Sequence, residues 1–240
     1  MPAVPRRLRP TAPIAPRALL VGDPGRALLL AQELLDEPKM SNHARGLWGY
    51  GGRAAGGGEL TIQSTGMGGP SAAVVLADLA ELGVRAAVRV GTCAAIDPGL
   101  ESGELLLVSE ASGEGAGSGE EPARPDPELA TRLEHELAGE RGGAGRCEVA
   151  KIASVDLPLW VIPEYEGEPT AEGGGVVAVD MQTATVFARA AALGIAAAAV
   201  LIVEETAGGA RIGDEGLEAA AKRAGRGAAA ALTASGKPSI

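Results

Sequence analysis

Short apolar runs alternate along the chain with longer stretches that carry the start and stop signals of helices. Runs that end at Gly, Pro or Asp predict strands, and stretches between a capping residue and a Gly predict helices. The predicted strands are Ala18–Val21, Leu60–Ser64, Ala86–Val90, Glu104–Ser109, Cys147–Ser154, Val176–Val179 and Ala196–Val203. The predicted helices are Arg26–Leu35, Ser71–Leu82 (with Ser71 as N-cap and Gly83 as stop), Pro127–Leu137, Met181–Leu193 and Asp214–Leu232.

The alternation of strands and helices predicts an α/β fold of three layers, with a sheet between two layers of helices. Ala196–Val203 has no polar face, as expected of a central strand that is covered on both sides. Ligands of such folds bind outside the carboxyl ends of the strands. Gly-rich segments follow three of the predicted strands, after Val21, Ser64 and Val90, so the sequence predicts a binding site there.

The remaining segments are expected to connect or flank these elements. Residues 1–16 are expected to form a disordered or loosely docked arm ahead of one domain, residues 17–240. Three segments rich in turn-forming residues are expected to be connections: a turn-rich, hairpin-like one at 49–58 and flexible ones at 112–125 and 164–175.

Composition and charge narrow the range of partners. The chain has 240 residues, 46% hydrophobic but only 2% aromatic, so Ala, Val, Leu and Ile must build its core. The net charge of −10 excludes a nucleic-acid polymer, although a few Arg side chains can still hold a small anion. Cys93 and Cys147 make neither a disulfide framework nor a zinc-ligand spacing, so no metal is expected. No apolar run predicts a leader or a membrane span, and we expect a cytoplasmic protein.

The first candidate segment is Gly22–Arg26, with the sequence Gly-Asp-Pro-Gly-Arg. A tight turn between a strand and a helix, with an Arg at the helix start, offers backbone N–H groups and one guanidinium to an anion. The alternative is an ordinary strand-to-helix turn whose Arg26 faces solvent.

The second candidate segment is Thr65–Ser71, which has three glycines before a helix. Glycines there allow the backbone to approach a ligand closely. Its third Gly does not stand at the position that a dinucleotide-binding loop requires, and no acidic ribose partner follows at the expected distance. It also lacks the Lys of a P-loop. By itself it is a weak signal.

The third candidate segment is Arg89–Cys93, in which an Arg interrupts an apolar run. A buried Arg is costly without an anionic partner, and Thr92 can add a hydroxyl donor. The alternative is an Arg that pairs with a carboxylate of the protein. Cys93 by itself is expected to be a core residue, because neither His stands in a context that suggests catalysis.

Six motifs together resemble a known family. In order they are Gly22-Asp-Pro-x-Arg26, Asn42-x-x-Arg45-Gly46, Thr65–Ser71, Arg89–Cys93, Val179-Asp-Met-Gln182 and Ile202-Val-Glu-Glu205. This series is similar to that of the purine nucleoside phosphorylase and uridine phosphorylase family of the hexameric type. The resemblance spans residues 18–206 and implies that family's fold, an α/β/α arrangement around a mostly parallel, partly barrel-like sheet.

The resemblance implies a reaction in which inorganic phosphate attacks the anomeric carbon of a ribonucleoside and releases the free base. It assigns Gly22, Arg26, Arg89 and Thr92 to phosphate, with Arg89 also counted as catalytic, and it has Arg45 reach phosphate from a neighbouring subunit. It places Met67, Met181 and Gln182 at the ribose and Cys93 and Glu205 at the base, with Glu205 as the catalytic acid. It also implies that phosphate is the co-substrate and that no cofactor is needed. It further implies a homo-oligomer built from dimer units, for which a hexamer is one of the assemblies left open.

The chain departs from the family at the ribose site. The family pattern has Glu where this chain has Gln182, and that carboxylate binds the ribose 2′- and 3′-hydroxyls. An amide oxygen can accept such a bond without the strength that a charge adds. We therefore expect either weaker ribose binding or a different sugar.

A second departure concerns the base. Purine-specific members have Ser-Asp and pyrimidine-specific members Asn-Arg where this chain has Glu204 and Glu205. Glu205 falls at the Asp position and could serve as the acid, although its longer side chain displaces the carboxyl group. Alternatively, both carboxylates are structural or solvated.

The base-binding side chains are incomplete as well. The family's N-terminal His has no counterpart in residues 1–17. The aromatic side chain that should stack on the base is also missing, with Ala153 and Val155 in that place, which leaves Trp160 or Tyr165 as substitutes. The acid at 205 favours a purine nucleoside phosphorylase, whereas the run Ser64–Ser71 is closer to uridine phosphorylases. The residues also leave open a phosphate-independent nucleosidase and a degraded paralogue that binds without turnover.

Overall fold

The computed structural model describes residues 5–113, 117–119, 121–139, 146–157 and 175–234. Its strands are β1 Arg17–Val21, β2 Leu35–Asn42, β3 Gly49–Ala54, β4 Glu59–Ser64, β5 Ala86–Ala95, β6 Leu105–Gly113, β7 Cys147–Ser154, β8 Val176–Asp180 and β9 Ala196–Glu205. Its helices are α1 Pro24–Leu34, α2 Gly68–Glu81, α3 Pro127–Gly139, α4 Thr183–Leu193 and α5 Asp214–Thr233.

The strands form one sheet, part of which closes on itself. β5 pairs with both β8 and β9, and β9–β6, β6–β7 and β7–β8 pairings complete a ring of five strands. β1 pairs with residues Ala86–Arg89 of β5 and continues the sheet outside the ring, followed by β4, β3 and β2. Of the nine pairings among the described strands, five are parallel. The predicted α/β fold with a partly barrel-like sheet is confirmed.

Helices cover both faces of the sheet. Buried residues of α1, α3 and α5 share one core cluster, and those of α2 and α4 share another. Alternate residues of β9 serve the two clusters: Val200 and Ile202 pack on one side, and Leu201 and Val203 on the other. This explains why the strand has no polar face. Within the residues described, no helix has the length and apolar character needed to cross a membrane.

The sequence did not predict β2 and β3. β2 is an edge strand with five consecutive exposed residues, a proline, and a register shift between Asp36 and Lys39. β3 has the sequence Gly-Tyr-Gly-Gly-Arg-Ala, which was expected to be a turn-rich connection. β3 is a strand because it pairs along its length with β4, and β2 is a strand because it pairs with β3. Tertiary pairing thus overrides the weak local propensity of both segments.

Two other boundaries differ from the prediction. α2 begins at Gly68 with Met67 as its N-cap, and Ser71 lies inside the helix, where its hydroxyl donates to the carbonyl of Thr65 at 2.6 Å. The segment expected to be flexible at 112–125 is partly paired, since β6 extends to Gly113 and Ala111 and Ala123 exchange backbone hydrogen bonds. Most of the segment predicted at 164–175 lies outside the described residues.

Residues 5–16 of the N-terminal arm are docked on the domain by hydrogen bonds, whereas the expectation for the whole arm, residues 1–16, stays a prediction. The backbone N–H groups of Arg6, Arg7 and Leu8 all donate to the carboxylate of Asp78 in α2, at 2.6–2.8 Å. The Leu8 side chain is fully buried in the core cluster that contains α2. Local sequence could not show this, because the acceptor is some 70 residues away.

Candidate active site

The Gly-rich segments after β1 and β4 lie against each other. The N–H of Thr65 donates to the carbonyl of Val21 at 2.7 Å, and a Cβ atom added at Gly22 would lie 3.4 Å from the carbonyl oxygen of Gly66. Gly66 has a φ of +74°, and a Cβ there would meet the Ser71 hydroxyl at 2.6 Å. The predicted meeting of these loops at the carboxyl ends of parallel strands is present, and Gly66 is required for it.

Arg89 is the centre of the site. It lies in β5 and is 4% exposed. Its guanidinium donates to Asp180 Oδ2 at 2.8 Å, to Gln182 Oε1 at 2.8 Å and to Thr183 Oγ1 at 3.1 Å. The carboxylate partner that the sequence left as an alternative is therefore present. Because a guanidinium has five N–H groups and these bonds use three, two have no partner among the described residues and could bind an anion.

Gly91 makes room for this arrangement. A Cβ atom at this position would lie 2.6 Å from both Cζ and Nη2 of Arg89, and 2.8 Å from a Leu201 methyl group. These distances are far below van der Waals contact. The Gly of the Arg-Val-Gly-Thr-Cys motif is therefore needed for the guanidinium to fold back toward β8.

Asp180, at the end of β8, holds Arg89 in place, although the sequence analysis gave it no role. Besides Arg89, it accepts hydrogen bonds from the hydroxyl of Thr183 at 2.6 Å, from the N–H of Thr183, and from the hydroxyl of Ser154. Ser154 in turn accepts from the N–H of Ala184 in the first turn of α4. The only sequence signal for this role was an acidic residue directly after an apolar strand.

Gln182 is 2% exposed and uses both ends of its amide within the protein. Its nitrogen donates to the carbonyls of Gly66 at 2.8 Å and Gly68 at 3.0 Å. Its oxygen accepts from Arg89 and lies 2.9 Å from the hydroxyl of Thr65. A carboxylate could not donate to the two carbonyls, so the Gln182 amide links the loop Gly66–Gly68 to the buried Arg89.

Arg26, half-buried in the first turn of α1, is the second cation of the site. Its N–H donates to Asp23 Oδ1 at 2.7 Å, which makes Asp23 the N-cap of α1. Burial lowers the pKa of Arg26, and the charge of Arg89 lowers it further, whereas the carboxylates of Asp23 and Glu204 raise it. Two guanidinium groups that repel each other favour an anion between them.

The carboxylates of Glu204 and Glu205, the last two residues of β9, share one cation, Arg211, which the sequence analysis missed. Glu204 Oε1 lies 2.8 Å from Arg211 Nη2, and Glu205 Oε2 lies 3.7 Å from Arg211 Nε. The backbone brings them together, because Glu205 and Arg211 form an antiparallel bridge around the turn at Thr206–Ala210. The side chain of Glu205 is 35% exposed, so it is partly buried and still reached by solvent.

Cys93 is 5% exposed, and its thiol donates to the carbonyl of Ile202 in β9 at 3.6 Å. Burial raises the pKa of the Cys93 thiol well above its usual range, and the charges of Asp180 and Glu204 raise it further. A thiol in this state is a poor nucleophile. Its structural environment fits the core residue that the sequence suggested by default.

The other predicted site residues differ in exposure. Thr92 and Met181 are half-buried, next in sequence to Cys93 and Gln182. Met67 is 85% exposed, and Arg45 is exposed in the short turn Ala44–Gly46. The possible stacking residues Trp160 and Tyr165 lie outside the described residues.

Comparison of the sequence with known proteins shows similarity to nucleoside phosphorylases. The family model described as the phosphorylase superfamily matches residues 16–235. The chain is 33% identical over 204 residues to the DeoD-type purine nucleoside phosphorylase of Geobacillus kaustophilus, which covers 81% of this chain and 83% of that protein. It is 31% identical over 192 residues to the guanosine phosphorylase of Halorubrum lacusprofundi, with coverage of 78% and 77%.

Solved structures share the fold. A uridine phosphorylase from Vibrio fischeri ES114 superposes with a TM-score of 0.76 at 19% identity, over 91% of this chain and 92% of that chain. A purine nucleoside phosphorylase from Toxoplasma gondii in complex with immucillin-H gives the same TM-score and identity, over 91% of each chain.

Proposed function

Since the chain belongs to the phosphorylase superfamily of purine nucleoside and uridine phosphorylases and is a pentosyltransferase, we propose that it cleaves ribonucleosides with inorganic phosphate, with purine nucleosides as its preferred substrates. The products are the free base and ribose 1-phosphate. The observation that carries the proposal is the buried Arg89, which has two N–H groups without a partner among the described residues and lies close enough to Arg26 for their charges to interact.

In the proposed reaction, Arg89 and Arg26 hold the phosphate, together with backbone groups of Gly22 and the hydroxyl of Thr92. A phosphate oxygen forms a bond to the anomeric carbon as the glycosidic bond to the base breaks, and the bonding electron pair leaves with the base. The positive charge that develops on the sugar is stabilised by the phosphate beside it. The protein thus contributes mainly by positioning the two reactants.

Glu205 is proposed as the acid that gives a proton to the departing base, and Cys93 as a wall of the base site. Met67 and Met181 are proposed to line the ribose. Gln182, proposed from the sequence as a ribose ligand, already bonds to Arg89, Gly66 and Gly68, so a ribose hydroxyl would have to share or replace one of these contacts.

Arg45 is proposed to complete the phosphate site of a neighbouring subunit in a homo-oligomer. Its exposure fits this role, because no residue in the described part of its own subunit buries the side chain. The assembly would then be required for full phosphate affinity.

The purine preference is supported by the names of the relatives, a DeoD-type purine nucleoside phosphorylase and a guanosine phosphorylase. It is also supported by an acid rather than an arginine at position 205. Uridine phosphorolysis is the second candidate, which the run Ser64–Ser71 favours.

The test is release of base from inosine, guanosine and uridine, each with and without phosphate. We expect release from the purine nucleosides that depends on phosphate. Arg89→Met should abolish it, and Arg124→Met, a surface arginine paired with Glu110, is the matched control. Release that ignores phosphate would identify a nucleosidase. Phosphate binding without any release would identify a paralogue that has lost turnover, and release from uridine alone would overturn the purine preference.

A further inference from the structure

The loop that carries Arg45 has an unfavourable backbone. Arg45 has a φ of +61° and Gly46 a φ of +71°, so two consecutive residues are left-handed. A left-handed residue other than Gly costs about 1–2 kcal/mol, and such strain persists only where surrounding contacts impose it. Arg45 itself is exposed, so its own side chain does not supply these contacts.

Two buried side-chain amides impose this conformation. Asn42, at the end of β2, donates through Nδ2 to the carbonyl of Leu47 and to that of Ala44 at 3.4 Å. Gln63, in β4, donates to the same Leu47 carbonyl at 3.0 Å. Asn42 and Gln63 are both fully buried. The Arg45 loop is therefore closed at its base from two strands of the same sheet.

Asn42 also holds the N-terminal arm. Its Oδ1 accepts from the N–H of Arg9 at 2.7 Å, and the carbonyl of the preceding residue, Ser41, accepts from the N–H of Thr11 at 2.8 Å. Directly upstream, the arm is bound to Asp78 through the three N–H groups described above. One amide side chain thus joins the arm, through its oxygen, to the Arg45 loop, through its nitrogen.

We propose that Asn42 is a positioning residue for Arg45, and that docking of the N-terminal arm on Asp78 and Asn42 sets the affinity for phosphate. The inference rests on the proposed function, in which Arg45 binds phosphate. With the arm in place, Arg9 fixes the rotation of the Asn42 amide, so that its nitrogen faces the loop carbonyls. When the arm is not docked, the left-handed turn at Arg45 and Gly46 relaxes and the Arg45 guanidinium loses its fixed position.

The experiment compares phosphate and nucleoside kinetics of substituted full-length chains. Asn42→Asp keeps an oxygen for Arg9 but cannot donate to the loop. Asp78→Ala releases the arm, with Glu81→Ala, an exposed carboxylate at the end of the same helix, as its matched control. Thr11→Val removes the hydroxyl bond to Met40 without touching the loop.

We expect Asn42→Asp and Asp78→Ala each to raise the KM for phosphate about tenfold or more, with the KM for the nucleoside changed by less than about twofold. Both controls should resemble the unsubstituted protein. Combining Asn42→Asp with Arg45→Ala should add little to the effect of Arg45→Ala alone, because the two residues act as a unit. Circular dichroism and thermal unfolding establish that each variant is folded.

Independent, multiplying effects of Asn42→Asp and Arg45→Ala would overturn the inference, as would an unchanged phosphate KM in either the Asn42→Asp or the Asp78→Ala variant. If one of the two variants fails to fold, the other decides. Failure of the proposed function is distinguishable, since base release by the unsubstituted chain would then not depend on phosphate at all.

Discussion

Arg89 Nη2 and Asp180 Oδ2 lie 2.8 Å apart in an ion pair whose side chains are 5% and 0% exposed. The two residues are 91 positions apart in sequence, and the antiparallel pairing of β8 with Ala94 and Ala95 of β5 brings Asp180 to the strand that carries Arg89. Because Asp180 is also fixed by Thr183 and Ser154, the pair gives the guanidinium a defined orientation before any ligand arrives. This is the preorganisation that electrostatic stabilisation of a transition state requires.

The first prediction concerns the stability of this pair. Asp180→Ala should lower the free energy of unfolding by about 3–5 kcal/mol, because it leaves a buried guanidinium without its counter-charge. The double variant Arg89→Met, Asp180→Leu should recover much of this loss, since two apolar residues need no solvation. Urea unfolding of the three proteins checks both statements. A double variant less stable than Asp180→Ala would contradict this account of the pair.

The second prediction concerns Gln182. Gln182→Glu keeps an oxygen for Arg89 but removes the donors to Gly66 and Gly68, and buried groups left without partners cost about 1–3 kcal/mol each. We expect lower stability and at least about tenfold faster hydrogen exchange in the segment Gly66–Pro70. Gln182→Met is the comparison that removes both ends of the amide. If hydrogen exchange in Gly66–Pro70 is as slow in Gln182→Glu as in the unsubstituted protein, the Gln182 amide does not hold this loop.

The sequence predicted those parts of the fold whose signal is local. The strand Cys147–Ser154 was predicted with its observed bounds, because this segment of mostly apolar residues stands between a Gly-rich segment and a Pro-containing one. β2 and β3 were missed because their stability comes from pairing within the sheet rather than from their own residues. The same distinction explains the arm, whose acceptor Asp78 is distant in sequence.

Prediction of the site divides in a similar way. Arg89 could be singled out because a charged residue within an apolar run needs a partner. Its partners could not be identified, since Asp180 and Gln182 reach it only through the β5–β8 pairing. Arg211 could not be predicted for another reason. A basic residue in a Gly-rich loop has no distinctive sequence pattern, and only the turn in the folded chain brings it beside Glu204.

The third prediction concerns Cys93 and pH. Burial raises the pKa of this thiol above its ordinary value of 9.0, so the folded protein keeps the proton that the unfolded chain releases at high pH. The stability linked to the thiol is therefore fully present below the unfolded pKa and is lost as pH rises above it, by about 1.4 kcal/mol per pH unit. We expect the stability advantage of the unsubstituted protein over Cys93→Ala to shrink between about pH 9 and pH 10. An advantage that is constant over this interval would contradict the prediction.

The fourth prediction tests whether Glu205 is the catalytic acid, with the adjacent Glu204 as the comparison. Glu205→Gln should lower kcat for a natural purine nucleoside by about 100-fold or more, because the base then leaves without a proton. The same variant should cleave p-nitrophenyl riboside at close to the unsubstituted rate, since nitrophenolate leaves readily as an anion. Glu204→Gln is the matched control: it removes the adjacent carboxylate and its 2.8 Å contact with Arg211 but leaves the proposed acid. Equal losses on both substrates would mean that Glu205 supports the structure of the site, and undiminished turnover of the natural nucleoside would remove Glu205 from the mechanism.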